Sequence, residues 1–161
     1  MRITWQELII GFDPGRSDAL LEDWRWLVGD EVQIVVVSAI GDLFLRHAQG
    51  HILWLDVGAA HLEQVADSAE EFKSLMQQTK HAEEWFMPRL VGDLITSGKR
   101  LASGLCYSYI VPPMLSGRMK LDNFEPTDLL VHCSMFGQIG RKIQDLPPGT
   151  KIDGFTTSND G

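Results

Sequence analysis

Residues 42–76, DLFLRHAQGHILWLDVGAAHLEQVADSAEEFKSLM, change their hydrophobic period partway along, and that change decides the fold. Up to Ala66 the apolar residues come in short runs, DLFLRH, HILWLDV and HLEQVAD. The spacers between them, AQG and Gly58-Ala59, are turn signals. In HILWLD the alternation sets Ile52, Trp54 and Asp56 on one face and His51, Leu53 and Leu55 on the other. At least one face of such a sheet needs a cover. The period then lengthens: Ala69, Phe72, Leu75 and Met76 fall on one side of a helix. Ser68 stands as its N-cap, with Glu71 as the reciprocal member of a capping box. A strand meander running straight into an amphipathic helix predicts an α+β fold, an antiparallel β-meander packed against several α-helices in a single domain.

The flanks extend this pattern. EVQIVVVSAI, residues 31–40, is a further strand, and Gly41-Asp42 turns it into the meander. Before it, SDALLEDWRWLVG reads as one helix with Ser17 as cap, Leu20, Leu21, Trp24, Leu27 and Val28 as its apolar stripe, and Gly29 as its stop. TWQELII opens the chain with Thr4 and Glu7 in capping-box relation, which predicts a short helix. After the central helix, HAEEWFMPRLVGDLITSG continues helically to Gly98, with Pro88 restarting the helix at a first-turn position.

GLCYSYIV, residues 104–111, then reads as a strand, and PPMLSGRMKLDNFEP as an irregular loop. A loop of that length in a small domain is either functional or packed by its own side chains. From Leu129 to Ile143 helical spacing returns, with Cys133, Phe136 and Ile139 on the apolar stripe, and LPPG stops it. Residues 1–155 form one expected domain, and the polar end, 156–161, an expected disordered tail.

The chain has 161 residues, 44% of them hydrophobic, enough for one core without disulfide or metal staples. Two cysteines, outside any C-x-x-C pair, fit a reducing cytoplasm. No apolar run approaches the roughly eighteen residues of a membrane span, so neither a membrane nor export is expected. A net charge of -8 argues against nucleic acid, whose binding draws on clustered Lys and Arg, and favours a basic protein partner. The charge is uneven: residues 85–120 hold five bases and one acid inside an otherwise acidic chain.

VHCSMFG, residues 131–137, raises the question of a thiol nucleophile with a histidine base. Adjacent helical positions point about 100° apart, so His132 cannot serve Cys133 directly, and the stripe places Cys133 in the core. His47 and His51 straddle a turn without a third ligand at metal-binding spacing. The pairs Glu70-Glu71 and Glu83-Glu84 lie on helices without the enclosure acid–base work needs. GQIG matches neither a P-loop nor a dinucleotide fingerprint. No catalytic, cofactor or metal site is therefore expected. Trp26, two positions beyond Trp24 and beside Glu22 and Asp23, should leave the apolar stripe, either as an interface anchor or packed on the N-terminal helix.

Read together, residues 20–72 and 106–153 resemble the C-terminal domain of the type VI secretion DNase-immunity family, which often follows a GAD-like domain. The resemblance is carried by GDLFLR, WLD and VADSAEEF in order, then PPMLSG, then GQI followed by DLPPGTKI. The family usually has a double glycine where this chain has Ser116-Gly117, and often a histidine where it has Gly140. The resemblance implies an α+β immunity domain, similar in outline to SUKH-type folds, that binds and blocks a toxin made by the same cell. On that reading the chain is a cytoplasmic, non-enzymatic inhibitor whose partner is a cognate basic effector. The residues expected to meet that partner are Glu22, Asp23, Trp26, Met114, Arg118, Gln138 and Arg141. A small ligand-binding domain or enzyme using the 111–126 loop, or a regulatory scaffold, stands as the alternative. The sequence sets no oligomeric state.

Overall fold

A computed structural model describes residues 2–147 and 149. The meander is present as β2 (Val32–Ser38), β3 (Leu43–His47), β4 (Ile52–Asp56) and β5 (His61–Ala66), each antiparallel to the next. A short strand β1 (Ile9–Ile10) joins β2 and completes a five-stranded sheet in the order β1-β2-β3-β4-β5. The sheet is covered on both sides. Phe44, opposite Trp54 in the register, stacks on it at 6.3 Å, while Leu43, Leu45 and Leu55, which alternate with them, are also fully buried.

Helices α4 (Ala69–Met76), α5 (Thr79–Phe86) and α6 (Pro88–Thr96) follow the meander. Phe44 receives two of them: its ring centroid lies 5.1 Å from both Phe72 on α4 and Phe86 on α5. Each such aromatic pair adds about 0.5–1.5 kcal/mol beyond the area it buries, so this cluster is a principal tie between helix and sheet. The capping of α4 differs in one detail from expectation. Glu71 N donates to Ser68 Oγ at 3.1 Å, but the Glu71 carboxylate accepts from Asp67 N, one residue further back than a strict box. Between α5 and α6, Met87 adopts the left-handed region, with φ 48°. The cause is Pro88, which disfavours a right-handed helical conformation in the residue before it and starts α6 at its own first turn.

The expected short N-terminal helix is present as α1 (Trp5–Leu8) with the Thr4–Glu7 capping box, and it ends after one turn because Ile9 turns extended to pair with Ser38. Two sequence expectations change. The expected helix over 17–29 is broken into α2 (Ser17–Leu21), a tighter 3-10 turn (Glu22–Trp24) and α3 (Arg25–Val28). Ser17 is not its cap. Asp13 caps the preceding turn through Gly15 N at 2.9 Å, and Arg16, at the cap position of α2, makes no capping side-chain bond. Trp24 accompanies the tightening: it is wholly buried, with its indole N–H donating to the Cys133 carbonyl at 2.9 Å.

The second change concerns the loop 112–126. Its end is a strand, β7 (Phe124–Asp128), antiparallel to β6 (Leu105–Tyr109) in a separate two-stranded sheet. Asn123 and Pro126 mask it in the sequence, and Pro126 is tolerated on an edge strand of this kind. The long helix α7 (Leu129–Gln144) then crosses the molecule, capped by Asp128 through Val131 N at 3.1 Å. Cys133, Phe136 and Ile139 are buried on it as the spacing predicts. The expected tail, 156–161, lies outside the described residues. The fold is α+β. Among the described residues no helix is long and apolar enough to cross a membrane.

Candidate partner-binding site

The site is built on two glycines of α7. A β-carbon at Gly137 would lie 2.5 Å from the Asp23 carbonyl oxygen, and one at Gly140 would meet the Ala60 β-carbon at 3.0 Å and the Trp26 ring at 3.2 Å. The GQIG run therefore lets α7 lie directly against the 3-10 turn and the indole of Trp26. Trp26 packs along α7 at Gly137 and Gly140. It is half-buried, stacks on Trp24 at 5.9 Å, and its N–H donates to the Asp23 carbonyl at 2.8 Å and, at 3.3 Å, to that of Gly137.

Along this seam runs an open groove of about 390 Å³, lined among others by Glu22, Asp23, Trp26, Gln138 and Arg141. Five of the seven residues expected to meet a partner thus converge, although they come from two segments more than a hundred positions apart. The floor is fixed by hydrogen bonds. Ser134 Oγ donates to Asp23 at 2.6 Å and accepts from Gln138 Nε2 at 3.2 Å. Arg25 is held at the margin by Asp18 at 3.2 Å. The rim is mixed in sign: Glu22, Asp23 and Asp145 face Arg25, Arg141 and Lys142. The acidity of the chain is therefore not concentrated in this groove.

Met114 and Arg118 lie apart from it. Met114 N donates to the Gly58 carbonyl at 3.1 Å, so the 113–115 turn rests on the same 57–60 turn whose Ala60 touches Gly140 from the other side. Arg118 is exposed further along the loop. Ser134, Ala60 and Lys142 join the site only through the fold. Only Ser134 had a usable signal, being the polar position four residues before Gln138 on the same helical face.

The buried polar groups are structural in geometry. His132 is fully buried, with Nδ1 2.7 Å from Ser108 Oγ and Nε2 3.0 Å from the Gly41 carbonyl oxygen. A carbonyl can only accept, so Nε2 carries the proton and Nδ1 accepts from Ser108. Burial lowers the His132 pKa to about 4 against a weaker opposing effect of the Gly41 bond, so the ring is neutral. Both ring nitrogens are committed and neither reaches Cys133, whose own thiol is pushed well up by burial. Asp42, which the sequence marks only as part of a turn, is also buried. It accepts from Trp54 Nε1 at 3.1 Å and Val57 N at 3.0 Å, and burial, with Asp56 nearby, raises its pKa well above the ordinary carboxylate value. It ties the start of β3 to β4 and the following turn. Among the described residues no group of three His, Cys, Asp or Glu side chains is placed to hold a metal ion.

A roomier cleft, about 680 Å³, opens elsewhere, between the N-terminal segment at Ile9, Phe12 and Arg16 and the 100–105 segment. None of the seven expected residues lines it, nor does any residue of the 111–126 loop.

Comparison with known proteins gives a likeness of fold and a family match. A crystal structure described as that of Atu4351 from Agrobacterium tumefaciens superposes with a TM-score of 0.54 at 14% identity over 79% of this chain. At that identity the likeness concerns the fold alone, and this chain spans only 65% of the length of that one. No curated protein matches the chain significantly. Residues 66–140 match the family described as T6SS immunity protein Tdi1, C-terminal. The matched segment is shorter than the resemblance seen in the sequence; it runs from the end of β5 to Gly140 of α7 and leaves out the strands before Ala66. Residues 66–140, just under half of the chain, are thus similar to the C-terminal part of the type VI secretion immunity protein Tdi1.

Proposed function

We propose that this chain is an immunity protein that binds an effector toxin of a type VI secretion system made in the same cell, and neutralises it by occupying its surface rather than by catalysis. The observation that carries the reading is the family match over residues 66–140. Its charge fits the role: a chain of net charge -8 is drawn to a basic partner, and a nuclease, which must grip phosphate, is basic on the surface that an inhibitor needs to cover. Such complementarity accelerates encounter in the cytoplasm and weakens with salt.

The groove between the 3-10 turn and α7 is the inferred centre of contact. It offers a half-buried indole with a polar rim, the pattern of an interface anchor. Glu22, Asp23, Gln138 and Arg141 would set register around Trp26, and Met114 and Arg118, which lie apart from the groove, stay outside this contact.

The test is co-expression. The product of the gene adjacent to this one is induced in a sensitive bacterial host with and without this chain. Growth should be restored by the wild-type protein and weakened by the double variant Glu22→Lys, Arg141→Glu, whose sites are exposed and whose fold should be unchanged. A toxic product that this chain neither binds nor neutralises would remove the proposal.

A further inference from the structure

Six large hydrophobic side chains stand exposed among the described residues, and four of them, Ile110, Val111, Met119 and Leu121, fall within residues 110–121. Scattered exposed apolar residues need no explanation, but a cluster on one segment marks an interaction surface. The segment is not loose. Asn123 acts as a clamp: its Oδ1 accepts from Val111 N, and its Nδ2 donates to the carbonyls of Val111 and Arg118, all at 2.8 Å. Lys99 Nζ donates to the carbonyls of Leu121 and Phe124, also at 2.8 Å. Gly117 N closes on the Pro112 carbonyl at 3.0 Å, where a β-carbon would collide with the backbone of Val111. The chain thus commits its own polar side chains to hold a segment that shows apolar ones to solvent. A surface ordered before binding loses less entropy on binding.

We propose that residues 110–121 are a preorganised docking platform for a protein segment that carries apolar side chains flanked by carboxylates. The charge decides the partner's chemistry. Arg118 and Lys120 are exposed within the platform and, among the described residues, neither forms an ion pair; the neighbouring cleft of Met119 and Arg89 also holds Glu83 and Asp93, so the positive charge is that of Arg118 and Lys120. The stretch 85–120 contains a single acid, Asp93. A basic segment would meet these cations unfavourably. An anionic membrane is the poorer fit, because lipid recognition uses clusters of about 4–8 cations, and a chain of net charge -8 is repelled from such a surface. The platform is distinct from the groove, and its partner has the opposite charge preference to the basic effector surface.

Selection from a displayed random-peptide library against the full chain tests this without presupposing any effector. Enriched peptides should pair Leu, Ile or Phe with Asp or Glu, and their affinity should fall about tenfold or more for Met119→Asp and for Arg118→Glu. Both residues are exposed, so circular dichroism should show an intact fold. Asn123→Ala, which keeps every apolar side chain but releases the clamp, should also weaken binding. Enrichment of basic or uncharged peptides, no enrichment at all, or peptides that bind the Met119→Asp variant equally well would overturn the proposal. So would binding to phosphatidylserine vesicles, or self-association in sedimentation velocity, that the same two variants abolish.

Discussion

Nε2 of His132 on α7 donates to the carbonyl of Gly41, at the turn between β2 and β3, across 3.0 Å of fully buried space. This bond, with that to Ser108 on β6, joins α7 to both sheets and positions the helix that carries half of the groove.

The same bond makes stability depend on pH. The unfolded chain protonates His132 near 6.5, whereas the folded chain holds it neutral until about 4. Between those values the unfolded state binds more protons, so the contribution is fully present above about 6.5 and is lost as pH falls towards 4, by up to about 3 kcal/mol. Asp42, raised by burial, acts in the opposite direction over part of the range. Urea denaturation of wild type and His132→Gln at pH 7 and pH 5 separates the two, because Asp42 is common to both. The wild type should lose more stability than the variant on acidification; equal losses would contradict the buried neutral imidazole.

Gly41 should tolerate no side chain. Its φ is +80° and a β-carbon would overlap the His132 ring. Left-handed strain and overpacking add, so Gly41→Ala should cost about 3 kcal/mol or more, read as a fall in the urea midpoint.

On α7 two opposing effects compete at each glycine. Alanine gains about 1 kcal/mol of helix propensity over glycine. At Gly137 a β-carbon would press on the Asp23 backbone at 2.5 Å, which no side-chain rotation relieves, and overpacking of about 1–3 kcal/mol should win. At Gly140 the contacts are 3.0 and 3.2 Å, where a shift of a few tenths of an ångström suffices. Thermal melts should therefore show Gly137→Ala destabilised and Gly140→Ala within about 1 kcal/mol of wild type.

Both cysteines are fully buried and their thiols are pushed up by desolvation. Iodoacetamide at pH 8 should leave the folded protein unmodified for as long as it stays folded, and label two sites in guanidinium. Rapid labelling of Cys133 in the native state would place it outside the core.

Much of this fold was legible locally. The meander, the helix starting at Ser68 and the restart at Pro88 each follow from a period or a cap within a few residues. What escaped depends on distant partners. Ile9 leaves its helix because Ser38 lies opposite, Trp24 tightens its turn where Cys133 offers a carbonyl, and β7 pairs despite Pro126 because β6 is its only neighbour within that sheet. The groove was half legible: Glu22, Asp23, Trp26, Gln138 and Arg141 were singled out separately. Their convergence rests on Gly137 and Gly140, which read as a failed phosphate motif until the packing of α7 is seen.

The central claim is that this chain engages an effector through the groove at Trp26. Titration calorimetry of the purified product of the adjacent gene, rendered inactive, into this chain at low and at physiological salt tests it directly. The account predicts a saturable complex, weaker at higher salt and weakened further by Glu22→Lys with Arg141→Glu. No heat of binding at low salt, or a complex indifferent to both substitutions, would contradict it.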